Sequence, residues 1–259
     1  MAYFRMIIPI YNSEPYLVRS LSSIRNQTFK DYHLVLVDDM SDNQEAIKKI
    51  VAEFKPDVEI YNTTKRYNGG ARNVACEYCK DDLYTLFMDA DDENVDPESF
   101  QKLHDFIEQH NQPDLIRLPY SSYWDETGAE SRLKNFENER TIAEVAASSK
   151  VAPWTKCIKT ELIVPFPENT LCEDVCQHLA QCDIIETVAT YPEQVVKWHR
   201  HSKSTSLGQS PKWKSSEWRV IADLMDLELT KPYTKARRDY KLFWAIKERP
   251  DASRVVTGI

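Results

Sequence analysis

Short apolar runs alternate with amphipathic stretches through the first 120 residues, and this alternation restricts the fold more than any other feature. YFRMIIPI (3–10), HLVLVDD (33–39), residues 57–61, LYTLFM (83–88) and DLIRLPY (114–120) read as strands, most of them buried. Between them, 14–26 places Leu17, Leu21 and Ile24 at helical spacing, and 42–54 does the same with Ile47, Ile50, Val51 and Phe54. A further helix is expected from about 70 to 80, and Asp96-Pro97 opens another with Leu103, Phe106 and Ile107 on its inner face. The repeat predicts an α/β fold, a mostly parallel sheet with helices on both faces. Ligands of such sheets sit outside the carboxyl ends of the strands. Tyr11, Asp38, Asp39, Asp89 and Asp91 all fall at those ends.

The pattern changes after residue 120. Residues 121–140 read as an irregular hairpin, 141–149 as a helix, 184–190 as a strand and 197–216 as a polar, basic stretch. Two amphipathic helices are expected at 216–229 and 234–248. Charge divides the same way. The chain carries −8 overall, but 197–259 carries +7 and 1–196 carries −15. An acidic body with a basic helical appendage predicts contact between 197–259 and an anionic surface, or packing of that segment on its own body.

With 42% hydrophobic and 29% charged residues, the chain is globular rather than disordered. No apolar run reaches the roughly 18 residues that a spanning helix needs. The stretch after Arg5 is too short for an export signal, and the six cysteines read as reduced thiols. The expected location is the cytoplasm or the inner face of a membrane.

The strongest chemical signal is Asp89-Ala90-Asp91-Asp92 after an apolar strand. Paired carboxylates there suit a hard divalent cation, Mn2+ or Mg2+, that takes phosphate oxygens as further ligands. Asp38 and Asp39 end another strand, where a carboxylate can accept from a base or a ribose; Ser41 or Asp42 can cap the helix that follows. Asn68-Gly69-Gly70-Ala71-Arg72-Asn73 combines a dipeptide tolerant of positive φ with a phosphate-competent guanidinium. Cys172-Glu173-Asp174-Val175 offers a general base for a hydroxyl. Trp198-His199-Arg200-His201 offers imidazoles for a metal or a diphosphate.

Taken in order, IIPIYNSEPYLVRSLSSIRNQTF, LVLVDDMSDN, NGGARN, FMDADDE, PWTKCIKTELI, CEDV and WHRHSKSTS resemble the family 2 glycosyltransferases of the GT-A fold, over residues 3–206. The resemblance implies 1–206 as the transferase domain, with 1–120 its nucleotide-sugar half and 121–206 its acceptor half, and 207–259 as a helical extension. It implies an inverting enzyme that takes a nucleotide-diphosphate sugar, UDP-linked by expectation, with Mn2+ or Mg2+. Pro9, Tyr11, Asn12 and Glu14 would frame the nucleotide, and Asp39 would contact the base. Asn68, Gly70, Arg72, Asp89 and Ala90 would line the ribose, diphosphate and sugar. Asp91 would hold the metal with His199 or His201, and Asp174 would be the base. Trp154, Lys156 and Glu173 would face the acceptor. The Gly70-Ala71 junction is shorter than the family's usual loop. The Gln-x-x-Arg-Trp signature of processive members is absent, so one sugar per encounter is expected. The expected acceptor is a glycan, a lipid-linked glycan or, as the alternative, a nucleic acid. A nucleotidyltransferase would carry a Gly-rich basic loop where Ile10–Glu14 stands, and a binding module that has lost catalysis would not need these acids.

Overall fold

A computed structural model describes residues 1–168, 170, 173–202 and 222–247. Its main sheet has seven strands, in the order β3 (Val58–Tyr61), β2 (Tyr32–Asp38), β1 (Phe4–Ile10), β4 (Tyr84–Phe87), β8 (Lys156–Lys159), β6 (Leu115–Arg117) and β9 (Val188–Thr190). The parallel half is β1, β2, β3 and β4, with β1 central between β2 and β4. All seven β1 residues are buried, which is why the segment reads as an apolar run; its one charge, Arg5, donates to Thr85 Oγ1 and to the Cys76 and Tyr78 carbonyls. The crossovers are α1 (Glu14–Arg25), α2 (Gln44–Phe54) and α3 (Tyr67–Cys76). Leu17, Leu21 and Ile24 of α1 and Ile47 and Val51 of α2 fill one face of the sheet. Ala71 and Ala75 of α3 fill the other, against Ile7, Val35 and Phe87.

Beyond β4 the order depends on less apolar strands. β8 (Lys156–Lys159) runs antiparallel to both β4 and β6 (Leu115–Arg117), and β9 (Val188–Thr190) closes the edge parallel to β6. A second sheet, β5 (Glu93–Asn94), β10 (Val196–Arg200) and β7 (Tyr120–Trp124), stands after the strand that carries the acidic run. The expected strand at 114–120 is thus two strands in two sheets, and the polar stretch from 197 begins as β10. Residues 120–134 do fold back as a hairpin, through bridges Tyr120–Lys134 and Tyr123–Glu130. The helices of this half are α4 (Ser99–Gln109), α5 (Ile142–Ala147) and α6 (Glu173–Ile184).

The C-terminal helix, α7 (Pro232–Lys247), is anchored by Asp183 at the end of α6. That carboxylate accepts from Thr230 N, Lys231 N and Thr234 Oγ1. Burial opposes its charge, but these hydrogen bonds win and hold it down to about 2. Leu224, Leu229 and Leu242 pack with Cys176 and Leu179 of α6. Arg237 donates to the Ser148 carbonyl and Arg238 to that of Leu227. Of the helix expected at 216–229, residues 216–221 lie outside the described residues, and 222–226 are helical. The five described cysteines are free. Among the described residues no helix is long and apolar enough to cross a membrane.

Candidate active site

The carboxyl ends of β1, β2 and β4 meet at one edge. After β1, Asn12 takes φ 50°, the left-handed region that asparagine tolerates. Its side chain holds that turn by accepting from Asp42 N at 2.7 Å and donating to Asp42 Oδ2 at 2.9 Å. Tyr11 is 42% exposed, and Lys65 Nζ lies over its ring, 2.7 Å from the centre. Pro9 is buried in β1, and Glu14 is half-buried where α1 begins. Asp38 folds back on Ser41 and Gln44, so it shapes the loop. The α2 cap is Asn43, which accepts from Ala46 N, rather than Ser41 or Asp42. Asp39, 1% exposed, accepts from Asn62 Nδ2 and Arg66 N and faces Lys65 Nζ at 3.3 Å.

Asn68, Gly69 and Gly70 lie in the first turn of α3, and neither glycine has positive φ. The requirement is steric. A Cβ on Gly69 would sit 2.3 Å from Pro167 O and 2.9 Å from Glu173 Cγ, and one on Gly70 would sit 2.5 Å from Arg66 Cβ. The first contact lets α3 pack against the segment that opens α6. That approach places Arg72, 2% exposed, between two carboxylates. Nη1 donates to Glu173 Oε1 at 2.6 Å and Nη2 to Asp89 Oδ1 at 2.7 Å. The guanidinium expected beside a diphosphate is instead a buried bridge from the acidic run to the start of α6. Glu173, 5% exposed, is likewise turned to Arg72 rather than to an acceptor.

Asp91 is drawn toward the second sheet. Its Oδ2 lies 3.0 Å from His201 Nε2, and that imidazole stacks on Tyr16 with ring centres 4.4 Å apart. Burial, then the charge of Asp89, pushes the Asp91 carboxyl up. His199 goes elsewhere: its Nδ1 is 2.6 Å from Asp125 Oδ1 and its Nε2 is 3.2 Å from Glu93 Oε1. Of the two candidate imidazoles, only that of His201 is brought to Asp91. Asp92, outside the expected set, is buried and accepts from His199 N at 2.8 Å, which pins β10 beside the acidic run. Its Oδ2 has no hydrogen-bond partner among the described residues. Asp91 and His201 bring one carboxylate oxygen and one imidazole nitrogen within 3.0 Å, donors whose chemistry suits a divalent cation.

Asp174 stands in the first turn of α6, half-buried. Burial pushes it up, and Lys156 and Arg72 pull it back. Lys156 is 0% exposed and turned inward, because β8 carries it beneath the surface, so it does not reach an acceptor. Trp154 is 6% exposed and packs edge-on against Tyr120, with ring centres 4.7 Å apart. Beside that wall, Arg200 lies over Trp124 at 4.1 Å and over Trp198 at 4.9 Å.

Comparison with known proteins decides the family. The model for glycosyl transferase family 2 matches residues 6–157. The chain belongs to this family. It is 35% identical over 146 residues to the minor teichoic acid biosynthesis protein GgaB of Bacillus subtilis, a match covering 54% of this chain and 16% of that protein. It is 28% identical over 177 residues to TarS of Staphylococcus aureus, a poly(ribitol-phosphate) beta-N-acetylglucosaminyltransferase, covering 65% of this chain and 30% of TarS. The chain therefore spans less than a third of either relative. A crystal structure of a TarS fragment in complex with UDP-GlcNAc superimposes with TM-score 0.72 at 19% identity, over 95% of this chain and 73% of that one. The mannosyltransferase PcManGT of Pyrobaculum calidifontis, with GDP-Man and Mn2+, gives TM-score 0.64 at 14% identity, over all of this chain and 76% of that one. These likenesses establish the GT-A fold.

Proposed function

We propose that this protein is a glycosyltransferase that moves one sugar from a UDP-sugar to a hydroxyl of a phosphate-bearing surface polymer of the teichoic acid type, with inversion. The Arg72 bridge carries the reading, because it draws Asp89-Ala90-Asp91 and Glu173-Asp174 to one sheet edge. The relatives named for teichoic acid synthesis support the acceptor class. So does the cationic Arg200 sandwiched by tryptophans, a surface that suits phosphate and polyol together.

In this reading Pro9 to Asn12, Glu14 and Asp39 hold the nucleoside. Asn68, Gly70, Asp89 and Ala90 line the ribose and sugar, and Arg72 fixes Asp89 in place. Asp91 and His201 would hold Mn2+ or Mg2+, which neutralises the leaving diphosphate when bound. Asp174 removes the proton from the acceptor hydroxyl. The freed oxygen bonds to the anomeric carbon from the face opposite the diphosphate, whose C–O bond breaks. Burial favours Asp174 in this role, since a raised carboxyl accepts a proton more readily. Residues 1–206 form the transferase domain, with 207–259 an extension that includes α7.

Calorimetric titration of UDP with and without Mn2+ tests the donor site. Binding should strengthen with Mn2+ in the unaltered protein, and Asp91→Asn should lose that gain while keeping its fold. Equal Mn2+ dependence in the variant would remove Asp91 from the metal site.

A further inference from the structure

An ammonium lies beneath the surface behind Asp174, and the chemistry above leaves it without a task. Burying such a charge is costly unless hydrogen bonds hold it. Lys156 Nζ donates to the Val151 carbonyl at 2.8 Å and to His178 Nδ1 at 3.3 Å. The imidazole is oriented for this. Its Nε2 lies 2.9 Å from the Val145 carbonyl, so Nε2 carries the hydrogen and Nδ1 accepts. His178 follows Asp174 by one helical turn in α6, so the two share a face of that helix. The clamp therefore holds the ammonium on the Asp174 side of α6.

We propose that Lys156 is a positioning residue for sugar transfer: clamped by Val151 and by His178 one helical turn from Asp174, it keeps that half-buried carboxylate ionised for proton removal. The inference rests on the reading of Asp174 as the base.

Among the neighbouring cations Lys156 pulls hardest on Asp174, ahead of Arg72 and Lys241. Arg117 of β6, Arg72 of α3, and His178 and Cys182 of α6 face the ammonium; Arg72 and Lys241 of α7 face the carboxylate. Arg117 is committed to Glu139 at 2.7 Å, and Arg72 to Glu173 and Asp89. Burial holds His178 neutral. Burial, then Arg117, also brings Lys156 down to about 7, so its charge is present on the acid side, where Asp174 titrates.

The test is the pH profile of UDP-sugar hydrolysis by the full chain, its Lys156→Met variant and its Asp174→Asn variant. Removing an opposite charge raises a carboxyl, so the acid limb of Lys156→Met should move up by about one pH unit or more. KM for the donor should stay unchanged, and most of the rate should return above the limb. A fall by the same factor at every pH, with the limb in place, would overturn the proposal and leave Lys156 a packing residue. A normal profile from Asp174→Asn would instead overturn the base assignment. If Lys156→Met does not fold, carbon NMR of aspartate-labelled unaltered protein decides, with Asp174→Asn assigning the resonance. The Asp174 carboxyl should show a second step near the Lys156 titration, and a single step overturns the proposal.

Discussion

Asp174→Asn should bind UDP-sugar as the unaltered protein does and transfer it at least about 10²-fold more slowly. The amide keeps the shape of the carboxylate, so α6 and the Arg72 bridge beside it are preserved. What is lost is the lone acceptor for the hydroxyl proton. The loss should therefore fall on kcat with KM for the donor nearly constant. Turnover within a few-fold of normal would assign the base elsewhere, and Glu173 is already committed to Arg72.

Arg72→Met should destabilise the fold by about 3–5 kcal/mol, the usual cost of removing one partner from a buried ion pair. Two carboxylates lose their counter-ion at once, and Glu173 is the more deeply buried of them. Burial already pushes Glu173 up, with Arg72 the strongest pull in the other direction. Its folded pKa already lies above the unfolded value, and without that pull it rises further. The protonated acid is then tolerated at low pH, and the deficit grows as pH rises through the folded value. Urea melts at pH 5 and pH 8 should show the smaller loss at pH 5. A loss below about 1 kcal/mol at both would mean that the bridge contributes little to stability.

The sheet edge is legible in sequence because buried parallel strands read as uninterrupted apolar runs whose polar ends stand out. Asp39, Asp89 and Asp91 can be placed from periodicity alone. β8 and β10 are hidden for the opposite reason. KCIK and VKWHR carry charges that look solvated, yet Lys156 is bonded inside and His199 is paired with Asp125. The Gly69-Gly70 pair announces a tight backbone, but whether it serves positive φ or close packing depends on Pro167, which sequence does not place beside it. Arg72 shows the same limit, since a guanidinium beside glycines fits a phosphate as well as two carboxylates 17 and 101 residues away. Asp92 carries no signal of its own. It is one more acid in a run of three, and its role appears only when β10 is seen to hang from it.

That Asp174 drives a single displacement is tested most directly by proton NMR of the sugar released when water replaces the acceptor. A UDP-sugar with an α-linked anomeric carbon should give the β sugar first, and the α form should grow in only at the rate of mutarotation. An α sugar as the first product would mean retention, through two displacements or a front-face path, and would contradict the role given to Asp174.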